Sequence, residues 1–172
     1  MKLPILILLI CVTSCCFSQH NTETTKSRKF NELLVSPGII IQHDTFLEFN
    51  LFLGSVYVEN NSKIPIVGAN GFRLGIESNI RSGNNYTIAP KIGYELSATV
   101  YVLRLSAVNY FQNSQSEFRL LPELGISLGG WANLTYGYGI PLKKADLNNV
   151  SHHRLALSFN LDQRLKNFVF KN

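Results

Sequence analysis

The sequence predicts an all-β chain: an eight-stranded antiparallel up-and-down transmembrane β-barrel. Three observations predict it. Apolar side chains recur at every second position through successive segments, the period of a strand whose two faces meet different surroundings. The pattern is clearest in Glu117–Gly129, where Phe118, Leu120, Pro122, Leu124, Ile126 and Leu128 alternate with charged or small residues, Leu121 excepted. Tyr86–Ser97 repeats it with Tyr86, Ile88, Pro90, Ile92, Tyr94 and Leu96. Second, only 16% of the 172 residues are charged, against roughly 25% in ordinary soluble chains. Past the N-terminus, no apolar run approaches the ~20 residues of a membrane helix. Third, the face opposite the apolar one mixes glycine and alanine with charges of both signs.

That third observation decides which face looks out. Gly71, Gly75, Ala89, Gly93, Gly125, Gly137, Gly139 and Ala156 share the polar face. Mid-strand glycine costs backbone entropy and serves no purpose on a wet exterior. A narrow eight-strand lumen needs small residues. On the same face Glu48, Glu77, Glu95 and Glu123 stand against Arg73, Lys91, Arg104, Arg119 and Arg154. Unpaired, each would be costly inside a barrel; paired, they plug it. The expectation is therefore apolar side chains outside and these nine charges within. The opposite arrangement, a soluble or lipid-anchored periplasmic barrel with a lipophilic ligand in an apolar cavity, is the alternative.

In chain order, Met1–Ser18 reads as a secretory signal: Lys2, the apolar run Leu3–Val12, then small and polar residues before a cut near Ser18–Gln19. Cys11, Cys15 and Cys16 all lie in it, so the exported chain carries no thiol. Val12-Thr13-Ser14-Cys15 also fits a loose lipidation signal. Residues 19–34 read as a flexible periplasmic lead-in. The barrel is expected over 35–161, with strands at Val35–His43, Thr45–Val58, Gly71–Ile80, Tyr86–Ser97, Thr99–Phe111, Glu117–Gly129, Trp131–Ile140 and His153–Leu161. Polar connections are expected at Glu59–Asn70, Arg81–Asn85, Gln112–Ser116 and Pro141–Ser151, and a tight turn at Gly129-Gly130. Pro90 and Pro122 lie inside strands, where a missing N–H marks a bulge or a strand end. Tyr57, Tyr86, Tyr101, Tyr110, Phe111 and Trp131 fall near strand ends, as an interfacial girdle would. Residues 162–172 form a short basic and aromatic tail.

The stretches GFRLGIESN, YTIAPKIGYELS, LRLSAVNYF, FRLLPELGISLGGWANLTYGYGIPL and HRLALSFNL resemble small outer-membrane β-barrel proteins of Gram-negative bacteria. The resemblance covers Val35–Leu161 and brings no catalytic motif. It implies outer-membrane lipid and the barrel-assembly machinery as partners and a monomer, but its eight-stranded relatives include adhesins, structural proteins, small-molecule conduits and lipid-modifying enzymes, so it selects no function. With no catalytic constellation in the chain, the expected role is non-enzymatic, structural or surface-recognition, with any binding through Arg81–Asn85, Gln112–Ser116 and Pro141–Ser151. Many such barrels end on an aromatic residue that the assembly machinery reads. Here the chain runs on past Phe159 to Phe168 and Phe170, so either Phe159 serves internally or the tail packs separately.

No cofactor or metal site is expected. A lipid-modifying enzyme would need a serine or carboxylate near histidine, and Ser151-His152-His153 is the only such cluster. Strand alternation would send His152 and His153 to opposite faces, which argues against one site built from both. The 16 basic against 11 acidic residues are scattered, with no stripe of the kind that binds nucleic acid.

Overall fold

The structure is a computed structural model describing residues 28–59, 66–81, 85–143, 145, 147 and 149–170. The signal segment and its cysteines, most of the lead-in, and parts of three connections lie outside the described residues. The strands are β1 (Arg28–Ile41), β2 (Thr45–Glu59), β3 (Ile66–Asn79), β4 (Ile88–Ala98), β5 (Tyr101–Gln112), β6 (Gln115–Leu128), β7 (Ala132–Tyr138), β8 (Ile140–Lys143) and β9 (His153–Phe159). A helix, α1 (Gln163–Phe170), follows. Both β7 and β8 pair with β6 in one direction, so they are two pieces of a single strand. Each strand pairs antiparallel with the next, and β9 returns to β1. The result is a closed eight-stranded antiparallel barrel.

Prolines shape its ladders. Pro122 pairs with Leu105 of β5, but Leu121 and Pro122 have no ladder partner on the β7–β8 side. The register on either side of the gap is unchanged. The missing N–H thus splits the partner strand in two without shifting it, while the Gly139 N–H continues the β7–β9 register by donating to the His152 carbonyl (2.7 Å). Pro90 interrupts the β4–β5 ladder in the same way. The bulge or strand end expected at each proline is therefore a simple gap in one ladder, with β4 and β6 themselves continuing through it. A register shift occurs elsewhere, between Phe118 and Arg119 against β8.

Several boundaries differ from expectation. β1 begins at Arg28, so residues 28–34 are strand rather than lead-in, paired with Leu34↔Phe52 through Arg28↔Val58. Arg28, Asn31 and Glu32 had hidden the alternation there. β2 and β3 run on to Glu59 and Ile66, which shrinks the connection between them. Gln112–Ser116 is a two-residue turn, with Asn113 and Ser114 at φ 48° and 62°. Gly129 and Gly130 turn likewise at φ 56° and 75°, a region that opposes any Cβ. Gly130→Val is expected to cost about 1–2 kcal/mol, read as a lower urea midpoint.

Residues 163–170 of the tail form α1. Asp162 caps α1, accepting from the backbone N–H of Arg164 (2.8 Å) and Leu165 (3.1 Å). Arg164 closes on both Asp162 and Glu32 of β1. Leu165 is fully buried among Leu34, Phe52, Val56, Val67 and Ala69, with Phe168 and Trp131 against the same cluster. The helix thus stops the barrel at the end where β1 begins. Burial pushes the Asp162 carboxyl up, but hydrogen bonds from Arg164 and the helix N–H groups outweigh it and hold it below its usual 3.8. A depressed carboxyl stabilises above its unfolded pKa and stops doing so as pH falls through the folded one. Docking of α1 is therefore expected to hold above about pH 4 and weaken in more acid solution. Emission from Trp131, the single tryptophan, would report it.

Candidate functional site

The interior is the candidate site. Apart from the short β8, the strands send their polar parity inward, so the pleat itself carries the charges to the axis. All nine residues expected there lie inside, each 4% exposed or less, whereas Ile92 and Leu124 on the opposite parity are 56% and 60% exposed. Glu117 joins them, buried and hydrogen-bonded to Arg119. Among the described residues the lumen holds the carboxylates Glu48, Glu77, Glu95, Glu117 and Glu123 and the cations Arg73, Lys91, Arg104, Arg119 and Arg154. The interior charge is balanced.

The pairs cross the lumen as well as neighbouring strands. Arg73 reaches Glu48 (3.0 Å) and Glu95 (2.5 Å). Lys91 bridges Glu48 (2.8 Å) and Glu77 (2.9 Å). Arg104 Nε meets Glu95 (2.5 Å) and its Nη2 donates to the Ser158 hydroxyl (2.6 Å). Arg154, from β9, clasps Glu77 of β3 through two donors (2.8 and 2.9 Å) and also donates to the Tyr110 hydroxyl (3.1 Å). Asn133 and Asn160 each donate to Glu95 at 3.3 Å. In so dry a place each of these ions would be prohibitive alone; the network makes the layer possible.

The charged layer is sandwiched between two apolar ones. At the end held by α1 lies the cluster around Leu165. Toward the other end lie Ile40, Phe46, Ala89, Val108, Tyr110, Leu121 and Ala156, capped by Leu147 and Val150 of the β8–β9 connection. Of that connection, expected as a surface loop, Leu147, Asn149 and Val150 turn inward. Arg119 donates to the Ser151 carbonyl (2.5 Å), Ala145 N–H to Glu117 (3.1 Å), and Asn149 to the Asn85 carbonyl (2.8 Å). The interior pocket bounded by Tyr110, Arg119, Leu121, His152 and Arg154 has no room for a water molecule. Tyr110, expected in the girdle, is buried: it shares parity with Arg104 and points to the axis. The Arg119 guanidinium sits over its ring at 5.5 Å.

No family model matches the chain, and no curated protein or solved structure does either.

At the rim of the lumen, the Ser151-His152-His153 cluster is placed differently from expectation. His152 precedes β9, so strand alternation does not separate it from His153. The His152 ring stacks on Tyr138 (5.8 Å) and the His153 ring meets the same tyrosine edge-on (5.0 Å). His152 Nδ1 donates to the Gly139 carbonyl (2.9 Å), and His153 Nδ1 shares a hydrogen bond with Tyr136. Ser151 Oγ accepts from the His153 backbone N–H (3.2 Å). No hydrogen bond joins either imidazole to the serine hydroxyl among those that the described residues show. Nor do the described residues include a group of three or more side chains placed to hold a metal ion.

Proposed function

We propose that the chain is a non-enzymatic barrel of the Gram-negative outer membrane, exported by its signal segment and serving a structural role with its lumen sealed. One observation carries this reading: apolar side chains cover the wall while ten charges fill the inside. Water would favour the reverse, and lipid favours this. The apolar positions of β6 from Phe118 to Leu128 rise, at ~3.3 Å per residue and a tilt of about 40°, some 25 Å, the height of an outer-membrane apolar band. Tyr86, Tyr101 and Phe111 stand exposed near strand ends, as interfacial anchors do.

A structural role fits better than surface recognition. Of the polar connections, Gln112–Ser116 is a tight turn, and Leu147 and Val150 of the β8–β9 connection pack inward. Phe159 closes the last strand, which supports it as the residue the assembly machinery reads. The barrel is proposed to work as a monomer with outer-membrane lipid around it.

Single cysteines test the reading cleanly, because the chain after the signal has none. Labels on Leu124→Cys and Glu123→Cys barrels in bilayers carrying lipid-attached quencher should differ: the first quenched, the second shielded. Equal shielding of both, or quenching only at 123, overturns it. Leu124→Arg is expected to cost about 2–4 kcal/mol of bilayer stability if it lies near the midplane.

A further inference from the structure

We propose that the outer wall carries a seat for one acyl chain of an anionic, phosphate-bearing lipid, lying across β9, β1, β2 and β3 with its head group on Arg81. The proposal is separate from the charged interior and rests on the membrane-spanning reading above.

The seat is a groove of about 530 Å³ whose rim is Pro37, Ile39, Leu47, Phe49, Ile76 and Phe159. It follows from the sequence of β1. Pro37 pairs with Phe49, which pairs with Ile76. The compact proline ring is a low point between taller side chains. Its missing N–H also falls where the β1–β9 ladder stops, since that ladder begins only at Gly38↔Ser158.

One end of the groove is marked by Ser78. Arg81 follows three residues later, just past the end of β3 at the end of the barrel opposite α1. Its side chain is 59% exposed, and its Nε donates to Asp44 Oδ2 (2.7 Å). Asp44 also accepts from Thr45 N–H (3.0 Å) and Asn79 (3.2 Å). The carboxylate is thereby occupied and holds the guanidinium by one edge, leaving the terminal nitrogens to a phosphate, the fork geometry such groups favour. His43 stands exposed beside the same turn. An apolar channel leading to an exposed guanidinium complements a lipid in both parts.

The test uses the folded barrel in neutral detergent, with retained lipid counted by native mass spectrometry. Phosphatidylglycerol, diacylglycerol with the same chains, and inorganic phosphate are the probes. Phosphatidylglycerol should be retained about fivefold over diacylglycerol, the gain expected of one cation near a lipid phosphate, and inorganic phosphate should not be retained. Arg81→Gln should erase the preference. Pro37→Trp, filling the groove, should lower retention of both lipids; Ile76→Trp replaces it if that variant loses its heat-modifiable band. Equal retention of the two lipids by the parent barrel, or undiminished phosphatidylglycerol on the groove-filled variant, overturns the proposal. Quenching at position 124 without lipid preference would remove this site and leave the membrane reading standing; no quenching at 124 removes both.

Discussion

Replacing Arg154 by methionine is expected to destabilise the barrel by about 3–5 kcal/mol, the cost of stranding a buried partner charge. Glu77 receives two of its hydrogen bonds from this guanidinium, and otherwise has Lys91 (2.9 Å), which it shares with Glu48, and the Tyr110 hydroxyl (3.3 Å). Removing Arg154 leaves the lumen with an excess carboxylate between two apolar layers. The paired change Glu77→Leu with Arg154→Met removes one charge of each sign and keeps the volume. It should return to within about 1–2 kcal/mol of the parent, since well-packed apolar replacements of buried ion pairs are often near neutral. Urea titration followed by loss of the fast, heat-modifiable band measures both. If the single variant unfolds at the parent's midpoint, these charges are solvated and the sealed interior is wrong.

What the sequence made legible is the parity, because two chemical signals repeat on it independently. The apolar side and the charged side each alternate, and nine charges on one parity leave little freedom about where they go. Glu117 was equally readable, sharing parity with Arg119, and its inclusion is what balances the interior charge. Tyr110 was readable by the same count from Arg104, but position near a strand end suggested a girdle instead. Other features were not local. The break between β7 and β8 is caused by Pro122 on the neighbouring strand, so nothing in Tyr138-Gly139-Ile140 announces it. β1 starts at Arg28 because β2 is there to pair with it, in a segment whose own composition is polar. The inward turn of the β8–β9 connection depends on Leu147 and Val150. Two apolar residues in a polar stretch carry no period, and only the cup formed by β1, β2, β4, β5, β6 and β9 gives them a place.

The helix after the last strand yields the second large effect. Leu165→Asp is expected to lift α1 off the barrel while leaving the barrel closed. The leucine is fully buried in an apolar cluster, and a carboxylate there has no cation to meet, so the variant escapes the cost by exposing the segment. Closure itself does not depend on α1, because the β1–β9 and β5–β6 ladders join the sheet without it. Undocking would free Arg164 and Lys166 to trypsin and part Phe170 from Trp131, whose rings now lie 5.1 Å apart. The variant should therefore be clipped within α1 under conditions where the parent resists, and its tryptophan emission should move to the red. Leu165→Ala, which keeps the site apolar, should show the same change weakly, at about 2–5 kcal/mol of lost packing. A parent chain clipped as fast as the aspartate variant would mean that α1 does not hold the end of the lumen. The charged layer would then be one apolar cluster away from water, and the Arg154 variant would lose most of its expected cost.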